Sequence, residues 1–136
     1  DGVYHAYIVM CEYMQKNKKS HNNALKEHIS TYIYSNYTDA NISLEQVAET
    51  LGYSSSYLSR FIKQEFGIGF GELLNKIRLD HAKKLLTSGI RPIGEISETV
   101  GYTSINSFVR AFKREEGITP SQYRNASVNQ FEAENK

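Results

Sequence analysis

The chain contains a diverged copy of part of itself. Residues 42–70 recur at 91–120: Gly52-Tyr53-Ser54-Ser55 matches Gly101-Tyr102-Thr103-Ser104 at an offset of 49. After a one-residue insertion, Arg60, Lys63, Glu65, Gly67 and Ile68 match Arg110, Lys113, Glu115, Gly117 and Ile118 at an offset of 50, and Leu44, Val47 and Leu51 correspond to Ile93, Ile96 and Val100. Each copy reads as a short helix, a Gly-aromatic turn and a second helix that stops at a glycine, which is the layout of a helix-turn-helix. Apolar residues recur at steps of three and four throughout, and no alternating run is bounded by hairpin turns, so an all-α chain is expected.

Local signals place the elements. Leu25, Ile29, Tyr32 and Ile33 mark a helix over about 24–37. Ser43-Leu44-Glu45-Gln46 is a capping box: the serine accepts from the backbone amide three residues on, and Gln46 is expected to reach back. Leu44, Val47, Ala48 and Leu51 form the stripe that follows, and Gly52 ends it with a left-handed residue. The next helix carries Tyr57, Leu58, Phe61 and Ile62 as inward positions and stops at Gly67. A helix over about 70–87, with Leu73, Leu74, Ile77, Ala82, Leu85 and Leu86, joins the two copies. In both turns the glycine allows the chain to reverse and the tyrosine tucks beneath. Ser54 and Thr103 are expected to cap the second helices, leaving their first amides facing outward.

Charge is distributed unevenly. Residues 1–53 carry four Lys/Arg and six Asp/Glu, whereas residues 54–124 carry eleven and seven. The local +4 matters more than the overall +1, because a phosphate-facing surface needs only local positive charge. Neither Gly52–Gln64 nor Gly101–Arg114 contains an acid. Their outward positions instead hold small polar groups, an amide and arginines, which base edges and phosphates accept and carboxylates would repel. Arg60 and Arg110 read alternatively as solvated partners of Glu65 and Glu115; their matched places in two turns favour contact. Tyr53, Tyr57, Tyr102 and Phe112 fall on inward stripes and read as core, not as stacking platforms.

Other function classes lack their residues. His5, His21, His28 and His81 have no metal-ligand spacing and read as surface histidines. No nucleophile stands beside a base, so no enzyme is expected, and neither is a cofactor or a metal. Cys11, the one cysteine, cannot form an internal disulfide and suits a reducing cytoplasm. No run is apolar enough to span a bilayer. A helical protein-interaction module is the alternative to a nucleic-acid reader, but it leaves the acid-free helices unexplained.

From about Ala24 to Asn125 the sequence resembles the AraC/XylS-type transcriptional regulators. The likeness is carried by P-I-G-E-I-S-E-T-V-G-Y at 92–102, F-V-R-A-F-K-R-E-E-G-I-T-P-S-Q-Y-R at 108–124, Y-L-S-R-F-I-K-Q-E-F-G at 57–67 and L-L-N-K-I-R-L-D-H-A-K-K-L-L at 73–86. Its overall look is close to that of the response regulators of that family in Gram-positive bacteria. The resemblance implies a seven-helix domain with helix-turn-helix subdomains at 43–67 and 92–117, joined by a connecting helix at 70–87. It implies recognition helices at about 54–66 and 103–116. Base-facing positions carried over are Ser55, Ser56, Ser59 and Arg60, then Ile105, Asn106, Val109 and Arg110. Ser54, Lys63, Thr103, Ser104 and Lys113 lie toward the DNA backbone. Gly69, Gly94 and Ser97 depart from the family's usual residues.

The reading is therefore a regulator, expected to be an activator, that binds double-stranded DNA in the bacterial cytoplasm, at the nucleoid, with RNA polymerase as its further partner. Residues 1–23 are expected to form an extra N-terminal helix (3–17, with Tyr4, Tyr7, Ile8, Cys11 and Met14 on one face) and a linker at Lys16–Asn23. Together these would be the tail of an upstream sensory or receiver domain, the alternative for the helix being a dimerisation element. Residues 126–136 read as a polar tail. The isolated domain is expected to be monomeric and the full-length protein dimeric.

Overall fold

A computed structural model describes residues 2–134, with the backbone alone for residues 2–18 and 131. Among these residues there are seven helices and no strand: α1 (Gly2–Asn36), α2 (Leu44–Leu51), α3 (Ser55–Phe66), α4 (Phe70–Thr87), α5 (Ile93–Thr99), α6 (Ile105–Glu116) and α7 (Pro120–Glu134).

The apolar stripes close on two cores. Leu25, Ile29 and Ile33 of α1 meet Val47 and Ala48 of α2, Leu58, Phe61 and Ile62 of α3, and Leu74 and Ile77 from the first half of α4. Leu79, Ala82 and Leu86 from the second half of α4 meet Ile96 and Val100, then Phe108 and Phe112 of α6, with Tyr123 of α7 packed on the outside. Each fully buried Val, Leu, Ile or Phe side chain contributes about 1.5–3 kcal/mol. One helix therefore serves both cores. At about 1.5 Å per residue, the 18 residues of α4 run roughly 27 Å and carry one helix-turn-helix at each end.

Arg78 sits where the cores meet, between Ile77 of the first and Leu79 of the second, and it is only 7% exposed. Its Nε donates to the carbonyl of Tyr37 and its Nη2 to that of Asp39, both at 2.9 Å. The guanidinium lies 5.4 Å from the ring centre of Tyr102, whose hydroxyl donates to Oδ1 of Asn75 at 2.9 Å. Burial pushes the Arg78 pKa down and the Tyr102 pKa up, because each loses hydration of its charged form.

Several expectations need correction. The separate helix at 3–17 and the linker at Lys16–Asn23 are one continuous helix with residues 24–36. The stretch Lys-Asn-Lys-Lys-Ser-His-Asn-Asn holds no glycine or proline, and polarity alone does not break a helix. The inward face proposed for Tyr4, Tyr7, Ile8, Cys11 and Met14, like His5, lies outside the described side chains. The polar tail is helical to Glu134, as the continuation of α7. At Ser43 half of the capping box forms: Oγ accepts from the Gln46 amide at 3.2 Å, without the reciprocal bond. A complete box stands instead at α7. There Gln122 N donates to Thr119 Oγ1 at 3.2 Å and Thr119 N donates to Gln122 Oε1 at 2.9 Å. His81 is not a plain surface residue, for it stacks on Tyr37 with ring centres 4.4 Å apart.

Candidate nucleic-acid interface

The two turns begin alike and then diverge by one residue. Gly52 and Gly101 both have positive φ, +82° and +104°. After Gly52 the chain needs Tyr53 alone before Ser54, whose Oγ accepts from the Tyr57 amide at 3.2 Å and starts α3. After Gly101 it needs Tyr102 and Thr103, and Ser104 is the cap, accepting from the Ser107 amide at 3.1 Å. The insertion seen in the repeat therefore lies in the second turn. Thr103 is not the cap, and the second recognition helix starts at Ile105 instead of 103. From the caps onward the offset of 50 holds.

The outward positions of the two helices correspond at the offset of 50, with unequal exposure at two of them. Ser56, Ser59, Arg60 and Lys63 on α3 are exposed, and Ser55 is half-buried. On α6, Ile105, Asn106, Arg110 and Lys113 are exposed, whereas Val109 is half-buried and packs partly on the second core. Ser54, Thr103 and Ser104 are exposed at the helix starts. Arg60 Nε donates to the Ser56 carbonyl at 3.4 Å and Arg110 Nε to the Asn106 carbonyl at 3.5 Å, so both arginines lie back along their helix in the same way. Among the described residues neither is ion-paired; the alternative pairing with Glu65 or Glu115 is absent. Glu116 turns away and pairs with Lys83 of α4. That hydrogen bond raises the Lys83 pKa.

Each helix also flanks a shallow groove at matching positions. Tyr57, Arg60, Phe61 and Gln64 line one, and Ser107, Arg110, Ala111 and Arg114 line the other. Arg114 is one of the outward basic positions of the second acid-free stretch, and the offset of 50 pairs it with Gln64, a lining residue that charge alone does not reveal. Tyr57, expected in the core, is 38% exposed and stacks on Tyr53 with ring centres 5.3 Å apart. Tyr102 is half-buried and Phe112 fully buried, in keeping with the inward stripe. Ser97 is buried and donates to the Ser104 carbonyl at 3.3 Å, tying α5 to the start of α6. A β-carbon at Gly94 would meet Ile105 at an ordinary 3.7 Å. Gly69 precedes α4 without a side-chain cap.

No group of His, Cys, Asp or Glu among the described residues is placed to hold a metal ion. No helix among them is long and apolar enough to cross a membrane.

Known proteins share this arrangement. Residues 47–126 match the helix-turn-helix domain family. The C-terminal domain of AraT, a response regulator from Geobacillus stearothermophilus, is 46% identical over 74% of this chain and 83% of its own, with a TM-score of 0.72. The C-terminal domain of the two-component response regulator yesN from Fusobacterium nucleatum is 40% identical over 74% of this chain and 98% of its own, also with a TM-score of 0.72. The DNA-binding domain of AdpA, solved in complex with a target DNA, shares the fold at 20% identity over 75% of this chain and 91% of its own, with a TM-score of 0.71. The chain spans only 11% of the uncharacterized HTH-type transcriptional regulator YtdP of Bacillus subtilis, at 36% identity, and 37% of the uncharacterized regulator YijO of Escherichia coli, at 37% identity. With seven helices among the described residues, two helix-turn-helix units on one shared helix and a family match over more than half its length, the chain belongs to the AraC-type family of helix-turn-helix DNA-binding domains.

Proposed function

We propose that this domain reads two adjacent major-groove segments of one duplex, with α3 in the first and α6 in the second, as the output module of a bacterial transcription activator. The observation that carries the reading is the matched pair of exposed, acid-free faces. Each starts at a serine-capped N-terminus, and each presents one unpaired arginine at the same place. Helix starts suit phosphate oxygens, since the first amides face outward and the helix dipole favours an anion. Ser54, Thr103, Ser104, Lys63 and Lys113 are assigned to the backbone. Ser55, Ser56, Ser59 and Arg60, then Ile105, Asn106, Val109 and Arg110, are assigned to the bases. Ile105 and Val109 make the second face the more apolar, which suits thymine methyl groups, while arginine suits guanine edges.

The role is binding, not catalysis, in the cytoplasm, with RNA polymerase as the protein partner. Residues 1–23 belong to an upstream input domain, with residues 24–125 as the DNA-binding unit and the rest a polar extension of α7. The isolated chain acts as a monomer, and dimerisation is left to the upstream part. The AdpA domain bound to its target DNA supports the duplex as ligand.

The test is affinity for a duplex selected by the chain from a random library, against an unrelated duplex. Arg60→Ala and Arg110→Ala each lower specific binding by about 1–3 kcal/mol and spare the unrelated duplex. Lys63→Ala weakens both and flattens the dependence of log affinity on log salt by about one. Equal losses on both duplexes for the arginines would reduce them to phosphate clamps and refute the base-reading assignment.

A further inference from the structure

Two cores on one helix leave open what fixes the angle between them. Each helix-turn-helix packs around its own core, and α4 is common to both. The junction between them is polar and centred on Arg78. Among the described residues, the side-chain hydrogen bonds that reach the Tyr37–Asp39 loop from another element are both made by Arg78. That loop leads from α1 into the first helix-turn-helix. On its other side the guanidinium faces the turn of the second one, against Tyr102. The backbones also meet directly: a β-carbon at Gly101 would overlap the Tyr37 carbonyl oxygen and stand 2.9 Å from Arg78 Nε. The second turn thus rests on the loop of the first unit with no room between them.

We infer that Arg78 is a positioning residue that fixes the separation and phase of the two recognition helices, and so makes binding selective for the number of base pairs between the half-sites. The inference rests on the two-headed reading above. One added base pair moves the second half-site by about 3.4 Å and turns it by about 34° around the duplex. A loose junction follows that change, and a junction closed by a planar, two-pronged donor on two carbonyls does not. Lysine keeps the charge but lacks the plane and the fixed fork, so it cannot hold both carbonyls while lying on Tyr102.

The experiment uses the full chain and the duplex that the wild type selects from a random library. One or two base pairs are inserted or removed between the half-sites, and a single half-site is measured alongside. For the wild type, one inserted base pair lowers affinity about tenfold or more, because the second head no longer binds as an intramolecular event. In Arg78→Lys the same insertion lowers it by less than about threefold, while affinity for the single half-site stays at the wild-type level. Tyr102→Phe, which loses only the bond to Asn75, falls between the two. An Arg78→Lys spacing dependence as steep as that of the wild type overturns the inference, and so does loss of single half-site binding. Should Arg78→Lys fail to fold, Tyr102→Leu, which takes away the ring against which the guanidinium lies, decides instead: a spacing dependence as steep as the wild type's overturns the inference. A wild type indifferent to spacing sinks this inference and leaves the two-headed reading standing. A selected duplex with one half-site sinks both.

Discussion

Gly52 and Gly101 occupy the same place in the repeat, yet replacing them with alanine should have unequal consequences. Gly52 has φ of +82° with open space where a β-carbon would go. Alanine there meets left-handed strain of about 1–2 kcal/mol, offset in part by about 0.4–1 kcal/mol from a less flexible unfolded chain. The net loss is under about 1.5 kcal/mol. Gly101 has φ of +104°, further from the left-handed helical well, and its β-carbon would overlap the Tyr37 carbonyl. Backbone cannot swing aside as a flexible side chain does. The loop must retreat and lengthen at least one of the two Arg78 bonds, each of which, as a bond to a charged donor, is worth about 1.5–3 kcal/mol. With strain of about 1–3 kcal/mol added, Gly101→Ala should lose about 3–5 kcal/mol, a large part of the roughly 5–15 kcal/mol that holds a domain folded. Urea unfolding followed by far-ultraviolet circular dichroism measures both variants, and an unchanged urea slope shows that the midpoints report stability. Equal losses at the two glycines, or a loss below about 1 kcal/mol at Gly101, would refute the tight junction.

Two further outcomes test local features. The Lys83 and Tyr102 pKa values are both raised in the folded protein, by the hydrogen bond to Glu116 and by burial respectively. The stability linked to them is therefore fully present below the ordinary values of about 10–10.4 and lost as pH rises through the raised ones. Unfolding free energy should fall in that alkaline window, and Lys83→Met should remove the lysine's share of the slope. Ser104→Ala should cost about 1 kcal/mol through loss of the α6 cap, and Thr103→Ala less than about 0.5 kcal/mol, as thermal melts would show; the reverse order would return the cap to Thr103.

The repeat made most of this fold legible, because each copy carried its own cap, stripe and stop. Val47, Leu58, Ile62, Ala82 and Leu86 lie buried where the three- and four-residue steps put them. Three features escaped for physical reasons. The continuity of α1 was hidden because a helix exposed on most sides reads like a polar linker; Lys19, Ser20, His21 and Asn23 are exposed. The cap at Ser104 was hidden because Thr103 and Ser104 are both good caps, and only the site of the insertion decides between them. Arg78 was overlooked as one basic residue among several on α4. The signal was present, since it lies four residues after Leu74 and four before Ala82, on the inward stripe. A charge on that stripe marks a buried polar junction. The outward positions of α3 and α6 were readable as faces, but side-chain type alone does not say which base each would meet.

Hydroxyl-radical footprinting of the 136-residue chain on its selected duplex tests the central claim most directly. The account predicts protection on one face of the duplex in two patches about 10 base pairs apart, over a site of about 20 base pairs, with unlike sequences in the two patches and one chain per duplex. A single protected patch, or two identical patches in a palindrome that fill only when two chains bind, would contradict it.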